Sequence, residues 1–340
     1  MISVIIAAYN EADSIVSKIE SVLASNYPHD QFEIIVASDG STDATNTLVS
    51  SFHSPFVKLL ALPRQGKNSA LNEAVKATEG EILVFTDADS LLNPDSLEYL
   101  IAPFADSTVG GVSGDYQHTS QKIKAQGERA YWNYDRILKR LQDAGGNVSG
   151  ASGGLYAIRK ELFKAVPTSV TDDFFSAMQV VSSHHRLVFE PRAISRGPVA
   201  PSPKAEYKRK VRVMTRGLRG IWLMRHLLNP VAYGFFAIQL FTHKILRRLL
   251  AIPLILLLFT APLLWNSGWL YQTAAILQFI FHGLALTGLL LQSTKIGQMK
   301  LLSLPYHFDL VYYASLVALS NIIRGYQYAT WGPERIAGST

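Results

Sequence analysis

The chain has 340 residues and a formal net charge of +6, long enough for a substantial core and more than one structural unit. It contains no cysteine, which excludes disulfides, thiolate metal ligands and cysteine nucleophiles. Charge is unevenly spread: residues 249–294 hold no Asp, Glu, Lys or Arg, a gap that the surface of a soluble domain does not tolerate.

The chain opens on a strand-like run at residues 2–8 with no basic leader before it, so the first domain is expected on the cytoplasmic side. Residues 3–8, 33–37, 57–62 and 81–86 read as buried strands, and 12–24, 43–52 and 68–78 as helices. This alternation predicts βαβ units and a mostly parallel sheet. Ligands of such sheets bind beyond the carboxyl ends of the strands. The polar residues at those ends are Tyr9, Asn10 and Glu11, then Asp39 and Gly40, then Asp87 and Asp89. Residues 110–116 suit a further strand and 123–141 a long helix. The Gly-rich stretch 145–154 is either a turn or a place where backbone approaches a ligand. Residues 196–203 are a Pro-rich connector.

Between Lys204 and Arg225 lie eight basic residues, Arg212 and Arg216 among them, against the single acid Glu206. Such a belt meets anionic lipid, a diphosphate or nucleic acid. Its place before an apolar region, without interleaved stacking aromatics, argues against nucleic acid. Residues 230–241 are apolar but too short to span a bilayer. Flanked by His243, Lys244, Arg247 and Arg248, they read as a helix lying on the membrane surface. Residues 249–265 and 269–291 each approach the roughly 20 residues needed to cross a bilayer, and 304–323 is a third candidate. Asp309, in the third, sits in the first helical turn if that helix begins at Pro305. The alternative is a functional intramembrane carboxylate. Lys295 and Lys300 join the basic belt on the cytoplasmic side. The expected organisation is an α/β domain over 1–200, interfacial helices over 201–248, about three transmembrane helices over 249–328 and a tail over 329–340, in a multi-pass protein of the cell membrane.

Asp87 and Asp89, one residue apart at the end of an apolar strand, suit a hard cation: Mg²⁺ takes one or two protein carboxylates and fills its shell with water and phosphate. Helix capping explains the same spacing. Asp39 suits a nucleobase, while Ser41 beside it suits a helix cap. His184 and His185 are adjacent with no third ligand near them, and adjacent side chains rarely converge on one ion.

The segments Val4–Ile5–Ile6–Ala7–Ala8–Tyr9–Asn10–Glu11, Ala37–Ser38–Asp39–Gly40–Ser41–Thr42–Asp43, Arg64–Gln65–Gly66–Lys67–Asn68 and Phe85–Thr86–Asp87–Ala88–Asp89–Ser90 occur in this order. Together they resemble the family-2 inverting glycosyltransferases of the GT-A nucleotide-sugar-binding fold. Residues 152–159, Thr171–Asp172–Asp173–Phe174, 206–212 and 243–247 extend the resemblance to the membrane-attached, polysaccharide-synthase-like branch. It implies that Asp39 accepts from the nucleobase, that Ala8, Tyr9 and Glu11 frame it, and that Lys67 lies near the nucleotide. It implies that Asp87 and Asp89 hold Mg²⁺ or Mn²⁺, with Asp89 the preferred direct ligand. Asp173 would be the general base, with Asp172 the alternative, because consecutive residues in a strand or loop point apart. Arg212 and Arg216 would contact the diphosphate, or else face lipid heads. Where many processive synthases carry Gln-x-x-Arg-Trp, this chain has Arg209–Lys210–Val211–Arg212–Val213, which leaves processivity open. Trp132 or Trp222 could serve as an acceptor platform.

The expected substrate is a nucleotide-diphosphate sugar, a UDP-sugar first, and the acceptor a growing glycan or a lipid-linked sugar beside membrane lipid. Three spans are few for a polymer channel, so a homo-oligomer or a separate exporter would complete it. Single addition to a polyprenyl phosphate or glycolipid is the alternative. An inactive nucleotide-sugar-binding scaffold is the non-enzymatic one.

Overall fold

A computed structural model describes residues 1–118, 126–198, 202–326 and 328. The first half alternates as the periodicity predicts. The elements are β1 (Ile2–Ala8), α1 (Ile15–Leu23), β2 (Phe32–Asp39), α2 (Thr45–Ser50), β3 (Val57–Leu62), α3 (Lys67–Lys76) and β4 (Ile82–Asp87). There follow β5 (Leu91–Leu92), α4 (Ser96–Ile101), β6 (Val109–His118), α5 (Gln126–Ala144), β7 (Tyr156–Arg159), α6 (Asp172–Ser182) and β8 (Arg186–Gly197).

The eight strands form one sheet in the order β3-β2-β1-β4-β7-β6-β8-β5. The first four pair in parallel. The expected mostly parallel sheet is nevertheless mixed: β7 runs antiparallel to both β4 and β6, and β5 antiparallel to β8. The connection from β6 to β7 carries helix α5 and the Gly-rich stretch, and β7 enters the sheet between β4 and β6 running against both. β7 and β8 were not read from the sequence.

Alternation along β1 explains the two cores. Ile5 and Ala7 face one side with Ile35, Leu83, Phe85, α3 and α6. Val4 and Ile6 face the other with Val36, Val84, α1 and α4. A central strand covered on both faces is apolar at nearly every position, and all seven residues of β1 are buried.

Downstream lie α7 (Pro203–Leu223), α8 (Pro230–Leu240), a π-helical turn over Phe241–Leu246, α9 (Arg247–Leu249), α10 (Ala251–Leu263), α11 (Trp269–Leu290) and α12 (Lys300–Ile323). Ile221 of α7 and Phe236 and Leu240 of α8 join the first core, so these helices are seated on the α/β domain. The chain kinks within α8 at Gly234, whose φ is +52°, a conformation that favours glycine.

Among the described residues, Trp269–Leu290 alone is a single helix long and apolar enough to cross a membrane. Pro230–Leu249 with Ala251–Leu263, bent by 41°, would make a second if the pair is one span. The third expected span is not among them. α12 lies along the basic helix α7: Tyr207 stacks on Tyr313 at 5.7 Å, Asn321 donates to Thr215 at 3.3 Å, and Arg219 donates to the Tyr326 carbonyl at 2.9 Å. α12 also begins at Lys300 with Pro305 inside it, so Asp309 is mid-helix and not in the first turn. There it sits 2.9 Å from His282 of α11. The 329–340 tail, the 199–201 part of the connector and the Trp132 side chain lie outside the described residues.

Gly80, just before β4, tests the packing. A Cβ there would lie 2.6 Å from the Ser3 amide nitrogen and 2.7 Å from the Ile2 carbonyl carbon, both backbone atoms at the centre of the sheet. Gly80→Ala is expected to destabilise by about 1–3 kcal/mol, read as a lowered Tm in thermal unfolding. An unchanged Tm would show that the two strands separate without strain.

Candidate active site

The carboxyl ends of β1, β2 and β4 open into one cleft, and the loops that follow them are laced together. Asn10, with φ +54°, accepts from the Thr42 amide at 2.8 Å, and its own amide donates to Ser41 Oγ at 3.1 Å. The Glu11 amide donates to Thr45 Oγ1 at 2.8 Å, and Ser14 Oγ donates to the Glu11 carboxylate at 2.7 Å. Ser41 thus ties two loops together, and α2 has no side-chain cap. Ala8 is fully buried at the end of β1.

Asp39 is 1% exposed. Its carboxylate accepts from the amides of Gln65 at 2.7 Å and Gly66 at 2.9 Å, and pairs with the Arg64 guanidinium. Arg64 in turn lies 3.4 Å from the centroid of the Tyr9 ring. One wall of the cleft is therefore an Arg on an aromatic face, held from behind by a carboxylate. Gly40, at φ +68°, lets this wall close: a Cβ there would meet the Arg64 amide nitrogen at 2.8 Å.

Asp87 ends β4, and Asp89 follows on an exposed turn. The floor beneath that turn is Lys18. Its ammonium donates to Thr86 Oγ1 at 2.6 Å and to the Ser90 carbonyl at 2.5 Å, and the residue is fully buried. Burial pushes the Lys18 pKa down to about 7, while the nearby charges of Asp87 and Asp89 work against that. Thr86 Oγ1 also donates to the Gly154 carbonyl at 2.7 Å, tying the carboxylate turn to the Gly-rich loop.

The second pair of acids was expected on a strand or loop. Asp172 and Asp173 instead open helix α6, where the helix dipole favours carboxylates. Roughly 100° separates consecutive residues on a helix, and the two side chains diverge accordingly. Asp172 lies 3.2 Å from Lys67, which is 2.8 Å from Asp87 on its other side. Asp173 turns toward the Gly-rich loop. A Cβ on Gly153 would lie 3.4 Å from Asp173 Oδ2 and 3.7 Å from Asp87 Oδ2, so these two carboxylates flank one glycine. Burial and the charge of Asp172 raise the Asp173 pKa, with Lys67 opposing them. Burial opposes the charge on Lys67, but Asp172 and Asp87 outweigh it and raise its pKa.

Helix α3 holds this second wall in place. Asn68 donates to the carbonyls of Pro167 at 2.6 Å and Val170 at 2.9 Å, and Asn72 exchanges two hydrogen bonds with Val166. Arg216 of α7 clamps the same segment, donating to the carbonyls of Thr168 and Val170, both at 3.0 Å. Arg216 therefore braces the approach to Asp172. Arg212 lies one turn earlier, close enough to lower the Arg216 pKa after burial has done so first.

The structure thus gathers Lys67, Asp87, Asp172 and Asp173 at one place, with Asp89 on the turn beside them, Asp39 buried behind the Arg64–Tyr9 pair and Glu11 buried at the end of β1. His184 and His185 are elsewhere, with His184 stacked on Tyr233 at 5.3 Å. Lys18 was missed by the sequence reading, yet a signal existed. It shares the apolar stripe of Ile15, Ile19 and Val22 on α1, and a lysine on such a stripe must have a buried partner.

Among the described residues no group of three or more acids or histidines is gathered as a metal site. Two carboxylates suffice for a cation that completes its shell with phosphate and water. Asp87 and the exposed Asp89 fit that donor set, in a turn already shaped around a positive charge by Lys18.

Residues 3–166 match the profile of the family described as Glycosyl transferase family 2. That match covers a little under half of the chain and makes residues 3–166 similar to a family-2 glycosyltransferase domain. Sequence relatives of this chain include the poly-beta-1,6-N-acetyl-D-glucosamine synthase of Staphylococcus epidermidis, 29% identical over 237 residues that make 65% of this chain and 56% of that protein. The enzyme of the same name from Staphylococcus aureus strain MSSA476 is 27% identical, over 62% of this chain and 53% of its own. The chain spans about half the length of these curated relatives. Among solved structures, its fold is similar to that of the mannosyltransferase PcManGT from Pyrobaculum calidifontis in complex with GDP-Man and Mn²⁺ (TM-score 0.70, 23% identity, 95% of this chain and 86% of that one). It also resembles S. aureus TarS 1-349 in complex with UDP-GlcNAc (TM-score 0.53, 15% identity, 96% and 92%). These likenesses establish a mixed α/β, GT-A-like fold.

Lys18 gives a prediction with a definite sign. Its folded pKa lies below its unfolded one, so between about pH 7 and 10 the unfolded chain binds the extra proton and stability rises with pH. Thermal unfolding across that range should show the rise in the parent chain and a flatter profile in Lys18→Met. Equal slopes would mean that Lys18 keeps its proton throughout.

Proposed function

We propose that this glycosyltransferase moves a sugar, with inversion, from a nucleotide-diphosphate sugar to a hydroxyl of a glycan or lipid-linked acceptor at the cytoplasmic face of a membrane. The observation that carries the reading is the Lys67 bridge. One ammonium sits 2.8 Å from Asp87 and 3.2 Å from Asp172, which supports reading Asp87 as the diphosphate side and Asp172 and Asp173 as the acceptor side of one site. The named relatives make a polymer of N-acetylglucosamine, and PcManGT and TarS are described with GDP-Man and UDP-GlcNAc. A UDP-sugar is our first choice of donor.

In this reading the Arg64–Tyr9 wall and Asp39 receive the nucleoside, with Ala8 and Glu11 shaping the rim. Asp87 and Asp89 would hold Mg²⁺ or Mn²⁺, which would supply charge stabilisation for the leaving diphosphate. Asp173 takes the proton of the acceptor hydroxyl as its oxygen bonds to the anomeric carbon. The bond from that carbon to the diphosphate oxygen breaks on the opposite side, and the electron pair leaves with the nucleoside diphosphate. Opposite-side attack inverts the centre, through a cation-like sugar transition state. A raised pKa suits Asp173 to this task, because a base near the working pH transfers a proton most effectively. Asp172 is then the residue that holds Lys67 and tunes its neighbour. Arg212 contacts the diphosphate in this reading, and Arg216, engaged on the 168–170 carbonyls, braces the segment before Asp172. Helix α11 and the bent α8–α10 unit provide membrane attachment.

Asp173→Asn is expected to bind nucleotide normally and to lose about 10²–10⁴-fold in transfer; full turnover would remove Asp173 as the base. Asp89→Ala should weaken Mn²⁺-dependent donor binding at least tenfold, about 1.4 kcal/mol, measured by calorimetry. Unaltered metal dependence would assign the ion elsewhere. The pH profile supplies a third test. Transfer requires ionised Asp173, so log(kcat/KM) falls as pH drops through its raised pKa. Asp172→Asn removes a like charge, so that fall should move to lower pH. Movement to higher pH, or none, would contradict the assignment.

A further inference from the structure

Lys18 is a costly residue in its place. It lies on the apolar stripe of α1 and is fully buried, and an ammonium there costs free energy that an apolar side chain would not. Ile15, Ile19 and Val22 already seat that face of α1 in the core. The acids whose charges act on the ammonium are Asp87 and Asp89, so its position is matched to the turn above it and not to the helix that carries it.

The hydrogen bonds run in one direction. The ammonium donates to Thr86 Oγ1 at 2.6 Å and to the Ser90 carbonyl at 2.5 Å. An ammonium has protons to give and no lone pair, so the Thr86 oxygen must accept from it. The single proton of that hydroxyl is then free for the Gly154 carbonyl, 2.7 Å away. Ser90 Oγ reinforces the link, donating to the carbonyls of Asp87 at 3.0 Å and Gly154 at 3.2 Å. Thr86, Ser90 and Gly154 are all buried, so a lost member of this network is not replaced by bulk water. The residues beside these anchors carry the site. Asp87 and Asp89 lie between Thr86 and Ser90, and Gly153, flanked by the carboxylates of Asp87 and Asp173, precedes Gly154.

We propose that Lys18 is a positioning residue for transfer: by orienting the Thr86 hydroxyl it locks the turn of Asp87 and Asp89 to the loop of Gly153 and Gly154, so that the donor-side carboxylates and the surroundings of Asp173 are set together. This rests on the proposed roles of Asp87, Asp89 and Asp173. Lys18 touches no reacting group and acts through Thr86 and Ser90. A residue that only seated α1 would leave turn and loop independent of each other.

The test uses the full chain in a neutral detergent at about pH 6, below the lowered Lys18 pKa, where the ammonium keeps its proton. Two quantities are read: amide hydrogen exchange by mass spectrometry, and calorimetric affinity for UDP and for GDP with Mn²⁺. In Lys18→Met the amides of residues 87–91 and 152–155 should exchange about tenfold faster together, with those of β2 unchanged. Affinity for the nucleotide that the parent chain binds should fall about tenfold, the scale of a lost hydrogen bond to a charged group. Thr86→Val should reproduce both effects and Thr86→Ser, which keeps the hydroxyl, neither. Lys18→Met/Thr86→Val should lose no more than the worse single variant, because both cut one connection. Faster exchange in the turn alone would make Lys18 a prop for the turn and overturn the proposal. General loosening that includes β2, full affinity in Lys18→Met, or losses that add in the double variant would overturn it too. If Lys18→Met does not fold, Thr86→Val against Thr86→Ser decides by the same readouts. A parent chain that binds neither nucleotide with Mn²⁺ counts against the donor half of the proposed function, and exchange in the two segments still decides the lock.

Discussion

A single ammonium organises the cleft. Lys67 opens helix α3, and its charge sits between the carboxylate that ends β4 and the carboxylate that opens α6. Without a cation there, two acidic elements would face each other across a partly buried gap, and like charges in such a gap repel or take up protons. With it, the sheet end and the α6 end are locked at a fixed separation. The same helix then fastens the second wall mechanically, through the hydrogen bonds of Asn68 and Asn72 to residues 166–170. Helix α3 is therefore both the electrostatic and the mechanical link between the two halves of the site.

The rest of the site follows from that link. Because Asp172 is committed to Lys67, its helical neighbour Asp173 is turned away toward Gly153. It is left half-buried, accepting from the Phe174 amide at 2.7 Å. Burial and a nearby like charge raise its pKa, and those are the conditions that make a carboxylate useful as a base. On the donor side a parallel division of labour holds. Asp39 is occupied by Arg64 and two backbone amides, so it acts on the cleft through the position of Arg64 on Tyr9.

The donor half was legible in the sequence because parallel strands buried on both faces leave a plain apolar signal, and each ends in a polar cluster. Residues 57–62 matched a strand end for end, and β1, β2 and β4 differed by one or two residues, within the usual uncertainty of boundaries. The acceptor half was less legible. β7 has only four residues, and β8 departs from simple alternation at Glu190–Ala193, where its register against β6 shifts. Asp172 and Asp173 were found as residues but misplaced as to element, although Thr171 at the N-cap with two acids in the first turn is itself a helix-start signal. Long-range partnerships, such as Lys18 with Thr86, carry no local signal beyond a charge on an apolar stripe.

The basic belt shows most clearly how composition misleads about use. Read as a sequence, 204–225 is one cationic face for lipid or diphosphate. In the structure its members have different occupations. Lys210 pairs with Glu206 at 3.1 Å, Arg216 is spent on the carbonyls before Asp172, and Arg219 reaches the end of α12. α12 covers the flank of α7 that the belt would otherwise turn to the bilayer. The helix thus works chiefly as a beam between the acceptor wall and the C-terminal helices, with Lys204 and Lys208 left exposed. Further on, where the chain leaves the α/β domain for its apolar helices, Lys244 has among the described residues only its ring contact with Phe174, 5.8 Å away. A residue's charge is set by its type, but what that charge does is set by which carbonyls and carboxylates the fold has already placed beside it.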